Sequence, residues 1–162
     1  MIRRTTADDW VRVRELRLEM IRDTPMAFGE SLETAFAHSE AQWRIRGDRG
    51  AGPRQTSLVA IDSTSDRWVG TMGGFLESGR PLLVGVYVSP AFRGRSHGVA
   101  AALLEGIERW ARSEGTTLAL HVHQRNPRAR TFYERHGFVA TGVTVPYVLD
   151  PTNLEIEMVK QL

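Results

Sequence analysis

The segment from Val86 to Ala100 combines residue types that suit the binding of an anion. It predicts a buried strand, a turn that contains Gly94 and Gly98, and the start of a helix. The first backbone N–H groups of such a helix and the positive end of its dipole face the turn, and glycines let a phosphate approach the backbone closely. Arg93 and Arg95 would add positive charge. In isolation, a motif of this length is more often an ordinary surface turn.

Two well-known phosphate-binding motifs do not fit this segment. A P-loop is excluded because no Gly-Lys-Ser/Thr follows the turn. The dinucleotide-binding fingerprint is excluded because its first glycine and the flanking strand-helix-strand alternation are missing.

The segment from Asn126 to Phe138 carries a second group of functional residue types. Asn126 can cap a helix that begins with Pro127, and Gly137 stands where a left-handed residue would end it. Tyr133 lies within this helix, and its phenol has a reference pKa of about 10. It can therefore act as a proton donor, or it can simply pack on the sheet as a helix aromatic.

Together the two segments closely resemble the signatures of the GCN5-related N-acetyltransferase (GNAT) family. The family pattern is R/Q-x-x-G-x-G/A after a Val-x-Val-x-Pro strand, followed by N-x-x-A-x-x-F/L-Y-x-x-x-G-F. The second half is matched at every position, and the first half departs at Ser96, which replaces a glycine. The resemblance implies a direct transfer of an acetyl group from acetyl-CoA to an amine in a ternary complex. The acceptor is open between a small-molecule amine and a protein amine.

The resemblance also implies which residues serve the cofactor and the chemistry. The backbone N–H groups at the end of the Val86 to Val88 strand would polarise the thioester carbonyl, and Tyr133 would be the general acid for the departing thiolate. Asn126 would cap its helix and contact the pantetheine arm or a bound water, and Arg128 or Arg130 would meet the 3′-phosphate or adenine, unless they are solvated. The full set of implied cofactor-binding residues is Val86, Tyr87, Val88, Arg93, Gly94, Arg95, Ser96, His97, Gly98, Val99, Asn126, Ala129, Arg130, Phe132 and Tyr133.

The residue that would act as the general base is harder to identify from the sequence. The strand from Leu82 to Val88 has no carboxylate at its start, where some relatives carry a glutamate. Glu30 is one candidate base or amine binder, because the segment after the first helix lines the acceptor side in this family; Phe28 and Glu33 are further substrate-binding candidates. His123 is the second candidate base, and water is the alternative.

Two further expectations concern metals and acceptor charge. His121 and His123 could form half of a metal site, but no third ligand stands at a recognisable spacing, so we expect no metal. The carboxylates of Glu30, Glu33 and Glu77 favour a cationic acceptor.

Hydrophobic periodicity predicts the elements that must position these residues. The class is α/β (α+β), with the order strand, two helices, three strands, helix, strand, helix and two strands. Residues 26–37 are expected to be irregular, and the last strand is expected to turn Leu154, Ile156 and Met158 inward and Glu155 and Glu157 outward. The family resemblance implies a mixed sheet of about seven strands that is splayed between the fourth and the fifth.

Composition limits the remaining possibilities. The 162 residues, 41% hydrophobic and 25% charged, predict a single domain over residues 1–162. Cysteine is absent, which excludes a thiolate nucleophile, and a net charge of +2 without a basic, aromatic stripe argues against nucleic-acid binding. The N-terminus resembles no secretory signal and no apolar run could span a bilayer, so we expect a cytoplasmic protein without a membrane partner. A homodimer is implied by resemblance alone.

A different class of function is a non-catalytic acetyl-CoA-binding regulatory module of the same fold. The presence of both Tyr133 and Asn126 beside the turn favours the enzyme.

Overall fold

The computed structural model describes residues 1–94 and 96–162 as helices packed on the two faces of a seven-stranded sheet. Short 3₁₀ turns precede the first helix (Ala7–Asp9) and follow the fourth strand (Pro90–Phe92). In chain order the elements are β1 (Ile2–Arg4), α1 (Trp10–Asp23), α2 (Leu32–Ala37), α3 (Glu40–Asp48), β2 (Gln55–Ile61), β3 (Trp68–Glu77), β4 (Arg80–Val88), α4 (Val99–Glu114), β5 (Thr117–His123), α5 (Pro127–Arg135), β6 (Val139–Tyr147) and β7 (Asp150–Gln161).

The sheet confirms the predicted mixed topology. The strands lie in the order β1-β2-β3-β4-β5-β7-β6, and all neighbours are antiparallel except β4 and β5. These two strands pair only through Leu82 with Ala119 and Leu83 with Leu120. From Val84 onward they separate, so the sheet is splayed between its fourth and fifth strands as the family resemblance implies.

Each face of the sheet is covered by its own helices, because successive side chains of a strand point to opposite faces. The larger core packs α4 against the strands through Leu103, Ile107 and Ala111. On the opposite face, Leu16 and Met20 of α1 pack against β2, β3 and β4.

The segment expected to be irregular contains a helix, α2. The oxygen of Ser31 accepts a hydrogen bond from the Thr34 N–H at 3.1 Å, which caps this helix. Ala35 is fully buried against α1 and α3. A serine cap and one small buried residue are enough to order a six-residue helix here, and the prediction of an irregular segment was wrong for this part.

The alternation predicted for the last strand is also partly wrong. Glu157 was expected to face outward but is 9% exposed, and Leu154 was expected to face inward but is 37% exposed. The Glu157 carboxylate accepts hydrogen bonds from Arg80 at 2.7 Å and from the Thr141 hydroxyl at 3.0 Å. Because Arg80 compensates its charge and both partners satisfy its oxygens, the carboxylate tolerates burial here.

Candidate active site

A cavity of about 620 Å³ opens where β4 and β5 separate. It is bounded by the ends of these strands, the beginnings of α4 and α5, and the loop after α1. The structure brings many of the predicted residues together here; those that line the cavity are Phe28, Val86, Tyr87, Val88, Arg93, Gly94, Gly98, His121, His123, Asn126, Arg128, Ala129, Phe132 and Tyr133.

Several predicted residues do not line this cavity. Ser96 and His97 are exposed, and Val99 is half-buried against the core. Arg130 lies on the surface of α5, where it forms an ion pair with Glu134 at 2.9 Å. Glu30 and Glu33 belong to the loop and helix beyond α1, and Arg95 lies outside the described residues.

The turn before α4 has the backbone geometry of an anion cradle. Gly94 and Gly98 have φ angles of +102° and +62°, a region that disfavours L side chains. A Cβ added to either glycine would meet no atom within 4 Å, so both face open space. Ala100 and Ala101, in the first turn of α4, also line the cavity. The free N–H groups of this turn can therefore reach a bound phosphate.

The Arg93 side chain is held by two partners on neighbouring elements, and it fixes the position of the turn before α4. Its Nε donates to the Val88 carbonyl oxygen at 2.6 Å, and its guanidinium forms an ion pair with Asp23 at the end of α1. Burial alone would raise the pKa of Asp23, but the hydrogen bonds from Arg93 and Thr24 hold it below its usual value. Arg93 thus links the end of β4 to α1, and most of its charge is neutralised.

A β-bulge interrupts β4 beside the cavity. The pairing with β3 shifts so that Thr71 opposes Tyr87 while Gly73 opposes Val84, which leaves two residues of β4 opposite one of β3. The first bulged residue, Gly85, has a φ of +59°, and a Cβ there would meet no atom within 4 Å. Since β5 pairs with nothing on β4 beyond Leu83, backbone groups of this stretch face the cavity.

Tyr133 is buried on α5 and lines the cavity. Its ring packs edge-on against Phe132 and Phe138, and its hydroxyl makes no hydrogen bond to the described part of the chain. Burial raises the pKa of the Tyr133 phenol above its usual value. The hydroxyl is therefore protonated at neutral pH and free to donate a hydrogen bond.

Asn126 caps α5 as predicted. Its Oδ1 accepts a hydrogen bond from the Ala129 N–H at 3.1 Å. This bond fixes the side chain at the edge of the cavity and leaves the amide nitrogen pointing away from the cap. Of the two arginines considered for the far end of the cofactor, Arg128 lines the cavity and Arg130 does not.

Glu30 lies at the centre of a cationic cluster, which we define as Arg17, Glu30, His38 and Arg46. Its carboxylate accepts from Arg17 Nε at 2.7 Å, from His38 Nε2 at 2.6 Å and from both terminal nitrogens of Arg46 at 2.6 and 3.0 Å. Although burial alone would raise the pKa of Glu30, these hydrogen bonds lower it to about 2. A carboxylate with this pKa and no free oxygen is poorly suited to accept a proton at neutral pH.

His123 is buried at the end of β5, with its ring edge-on to Tyr147 at 4.8 Å. Its Nδ1 accepts a hydrogen bond from the Arg125 N–H at 3.1 Å. In the neutral ring the proton therefore sits on Nε2, so the ring is a donor towards its surroundings. To act as a base, His123 would have to give up the Arg125 hydrogen bond.

The sequence interpretation missed two side chains that shape this region. Tyr147 in β6 accepts a hydrogen bond from the Gly29 N–H at 3.3 Å, and so ties the last hairpin to the loop after α1. Glu19 in α1 accepts from the Tyr87 hydroxyl at 3.0 Å and from Ser89 at 2.5 Å. No local spacing marks either residue, because their partners lie about 70 to 120 positions away in the sequence.

Comparison with known proteins agrees with this geometry. A family model described as "Acetyltransferase (GNAT) family" matches residues 14–138. No curated protein matches the sequence significantly. In the part of the chain that the structure describes, no helix is long and apolar enough to cross a membrane.

Three solved structures illustrate the shared fold. A GCN5-related N-acetyltransferase from Kribbella flavida has 21% identity and a TM-score of 0.77, over 100% of this chain and 97% of the other. A GNAT-family acetyltransferase from Streptococcus pneumoniae has 19% identity and a TM-score of 0.76, over 100% and 98%. The PaiA N-acetyltransferase from Thermoplasma acidophilum, in complex with coenzyme A, has 17% identity and a TM-score of 0.74, over 100% and 98%.

Proposed function

Since the chain belongs to the GNAT acetyltransferase family and is an acyltransferase, we propose that it transfers the acetyl group of acetyl-CoA to a primary amine by direct attack in a ternary complex. The observation that carries this proposal is that a single cavity is lined by the glycine turn before α4, the β4 bulge and Tyr133. These features supply an anion cradle, unpaired backbone groups and a proton donor. The related structure with coenzyme A bound is consistent with this cofactor.

The cradle before α4 would hold the pyrophosphate of acetyl-CoA. The open space at Gly94 and Gly98 admits phosphate oxygens to the backbone, and the positive end of the α4 dipole favours their charge. Arg128 is exposed on the rim of the same cavity and is suited to a further phosphate. We keep Ser96, His97, Val99 and Arg130 only as peripheral candidates, because they do not line the cavity.

The β4 bulge would polarise the thioester carbonyl. A backbone N–H that is already unpaired and fixed in place stabilises a developing oxyanion without reorganisation. Gly85 is suited to the bulge because its φ of +59° places no side chain in the cavity. Asn126, Ala129 and Phe132 would form the opposite wall, along which the pantetheine arm lies.

Tyr133 would donate its hydroxyl proton towards the departing thiolate. The raised pKa of this phenol keeps it protonated, but complete transfer to a thiolate whose conjugate acid has a pKa near 8.5 then costs about 1.4 kcal/mol for each unit of difference. The proposed role is therefore chiefly a hydrogen bond that stabilises the thiolate as it leaves, with the proton replaced from solvent.

The proton of the acceptor amine would leave to water. Glu30 is held by three basic side chains, and the Nδ1 of His123 is occupied by the Arg125 N–H. Neither group therefore offers a free lone pair to the amine proton. The rate should accordingly rise with pH as the neutral amine becomes more abundant, up to the pKa of the acceptor itself.

The arrangement of the chain beyond the site is also proposed. We take residues 1–162 as one N-acetyltransferase domain.

Homodimer formation is supported by β6, an edge strand, and by apolar side chains exposed on the last hairpin and its turn; these are Val139, Val143, Val148, Leu149 and Leu154. Analytical ultracentrifugation of the wild-type chain would test it. The cytoplasmic location expected from the sequence stays a prediction.

Calorimetric titration with acetyl-CoA and with desulfo-CoA, followed by a thiol-release assay on a panel of amines, tests the proposed function. We expect binding of both ligands and release of thiol with at least one amine. Binding without release on any amine would favour the regulatory module of the same fold. Failure to bind acetyl-CoA would overturn the assignment of the cavity.

A further inference from the structure

A second cavity of about 530 Å³ lies on the α1 face of the sheet. It is bounded by α1, the end of α3 and strands β2, β3 and β4. It shares the lining residues Val84 and Gly85 with the first cavity, so both cavities border β4 at its bulge. A group bound in the second cavity would therefore approach the bulge from the side opposite to the glycine turn.

The polar side of this second cavity is strongly positive. Arg17, Arg46 and Arg49 line it, and none of the described residues that line it is acidic. Among the described residues, the only carboxylate bonded to these arginines is that of Glu30, which bridges Arg17 and Arg46. Three guanidinium groups thus face one carboxylate, and Arg49 forms no ion pair with any described residue.

The arginines are held in a position that is unfavourable without a further anion. Burial lowers the pKa of Arg17 below its usual value, even with Glu30 as partner. Burial and the neighbouring charge of Arg46 likewise lower the pKa of Arg49. Positive charges with incomplete solvation and like-charged neighbours raise the free energy of the empty site, and a bound anion would remove that cost.

Two residues that line this cavity carry buried polar atoms without partners in the described part of the chain. The Thr56 hydroxyl and the Trp68 indole N–H are buried and make no hydrogen bond within the described part of the chain, and both residues line the cavity. Buried polar groups are normally paired with protein or water. The remaining wall is apolar and includes Val13, Leu16 and Met20.

We propose that the second cavity is the acceptor site and that Arg17, Arg46 and Arg49 bind a carboxylate of the acceptor. The acceptor class is then a small amino acid with an apolar side chain, whose amine points to the β4 bulge. The planar guanidinium fork matches a carboxylate, and the apolar wall suits the side chain. This inference rests on the proposed acetyl transfer. It replaces the expectation of a cationic acceptor, because the Glu30 carboxylate is already paired with Arg17 and Arg46.

Matched pairs of acceptors test the carboxylate directly. Thiol release is measured with leucine, methionine and phenylalanine, and with the amide of each. We expect kcat/KM for each acid to exceed that of its amide at least about ten-fold, the range of one charge-assisted hydrogen bond. The amine of an amide is less basic and more of it is neutral at pH 8, so a preference for the acid cannot arise from amine protonation.

The variant Arg49→Gln tests which residue recognises the carboxylate, because Arg49 forms no ion pair with the described residues that the fold would lose. We expect KM for the acids to rise at least about ten-fold while KM for the amides is unchanged. Arg4→Gln removes an exposed arginine outside both cavities and serves as the control with unchanged constants.

The outcomes separate this inference from the proposed function. Thiol release that is equal for acids and amides, or confined to amines without a carboxylate, would overturn the inference and leave the transferase intact. The same conclusion would follow if Arg49→Gln left KM for the acids unchanged. Loss of acetyl-CoA binding in the wild-type chain would instead overturn the proposed function.

Discussion

The two cavities that border the β4 bulge are built in different ways. In the first, the anion cradle is formed by backbone: Gly94, Gly98 and the first turn of α4, with the bulge at Gly85 beside it. The second takes its character from side chains, above all Arg17 and Arg46, which are held together by Glu30. Backbone recognition suits a ligand part that is the same in every reaction, and side-chain recognition can differ from one chain to the next. Under the proposed assignments, the first cavity is the cofactor site that the family shares and the second is an acceptor site individual to this chain.

We expect the largest effect from Gly98→Glu, which alters the anion cradle of the first cavity and leaves the second cavity unchanged. The substitution places bulk and negative charge in the open space before α4, where φ is +62°. Affinity for acetyl-CoA should fall more than about 100-fold by calorimetry, because the anion cradle is filled and its charge is opposed.

Gly142→Glu is the matched control for this variant. Gly142 has a φ of +89° and is equally open, but it lies in β6 away from both cavities. It imposes the same backbone strain, of about 1–2 kcal/mol, and should leave binding intact. Equal loss in both variants would show that strain, and not the cradle, is responsible.

We expect the second-largest effect from Glu30→Gln, which alters the carboxylate that holds two arginines of the second cavity together. Removing the carboxylate leaves Arg17 and Arg46 without their partner, and the free energy of unfolding should fall by about 2–4 kcal/mol at pH 7. The folded pKa of Glu30 is lowered to about 2, so its stabilisation is complete above about pH 4.5 and is lost as the pH falls towards 2.

Urea denaturation at pH 7, 4.5 and 3 measures this dependence. The difference between wild type and Glu30→Gln should be constant between pH 7 and 4.5 and smaller at pH 3. Glu33→Gln alters an exposed carboxylate in the same region and should change stability by less than about 0.5 kcal/mol. A difference that is as large at pH 3 as at pH 7 would contradict the electrostatic explanation.

Tyr133→Phe should affect turnover and not affinity. The hydroxyl makes no hydrogen bond within the described residues, so stability and the Kd for acetyl-CoA should change little. We expect kcat to fall about 10- to 100-fold, at or below the lower limit for a full proton donor, because the hydroxyl acts chiefly as a hydrogen-bond donor. Tyr147→Phe should instead raise KM for the acceptor, because it releases Gly29, the neighbour of the Glu30 that holds Arg17 and Arg46. An unchanged kcat for Tyr133→Phe would remove this residue from the mechanism.

The smallest effect is expected from a pair of threonines in the second cavity. Thr56→Val removes a buried hydroxyl that has no partner, so the free energy of unfolding should be unchanged or increase by less than about 1 kcal/mol. Thr71→Val removes a hydroxyl that donates to the Leu58 carbonyl at 2.8 Å, and should cost about 1 kcal/mol. Equal destabilisation in both variants would show that Thr56 has a partner in solution.

Features that depend on a short stretch of sequence were predicted well, and features that depend on contacts between distant residues were not. Hydrophobic periodicity and the cap and stop residues were sufficient for most helices and strands, and the family resemblance supplied the splayed sheet. Helix α2 was missed because six residues carry too short a pattern. Glu157 was misplaced because an ion pair with Arg80, 77 positions away, offsets the cost of its burial.

The sequence by itself determined the turn before α4 and the cap of α5, because these features depend on glycine and asparagine at fixed positions along one short segment. The tertiary structure alone decided that Glu30 is saturated by Arg17, His38 and Arg46, and that an arginine-lined cavity meets the β4 bulge. The physical reason is that the charge state and the free lone pairs of a side chain depend on its partners in space, and those partners come from separate elements that only the folded sheet brings together.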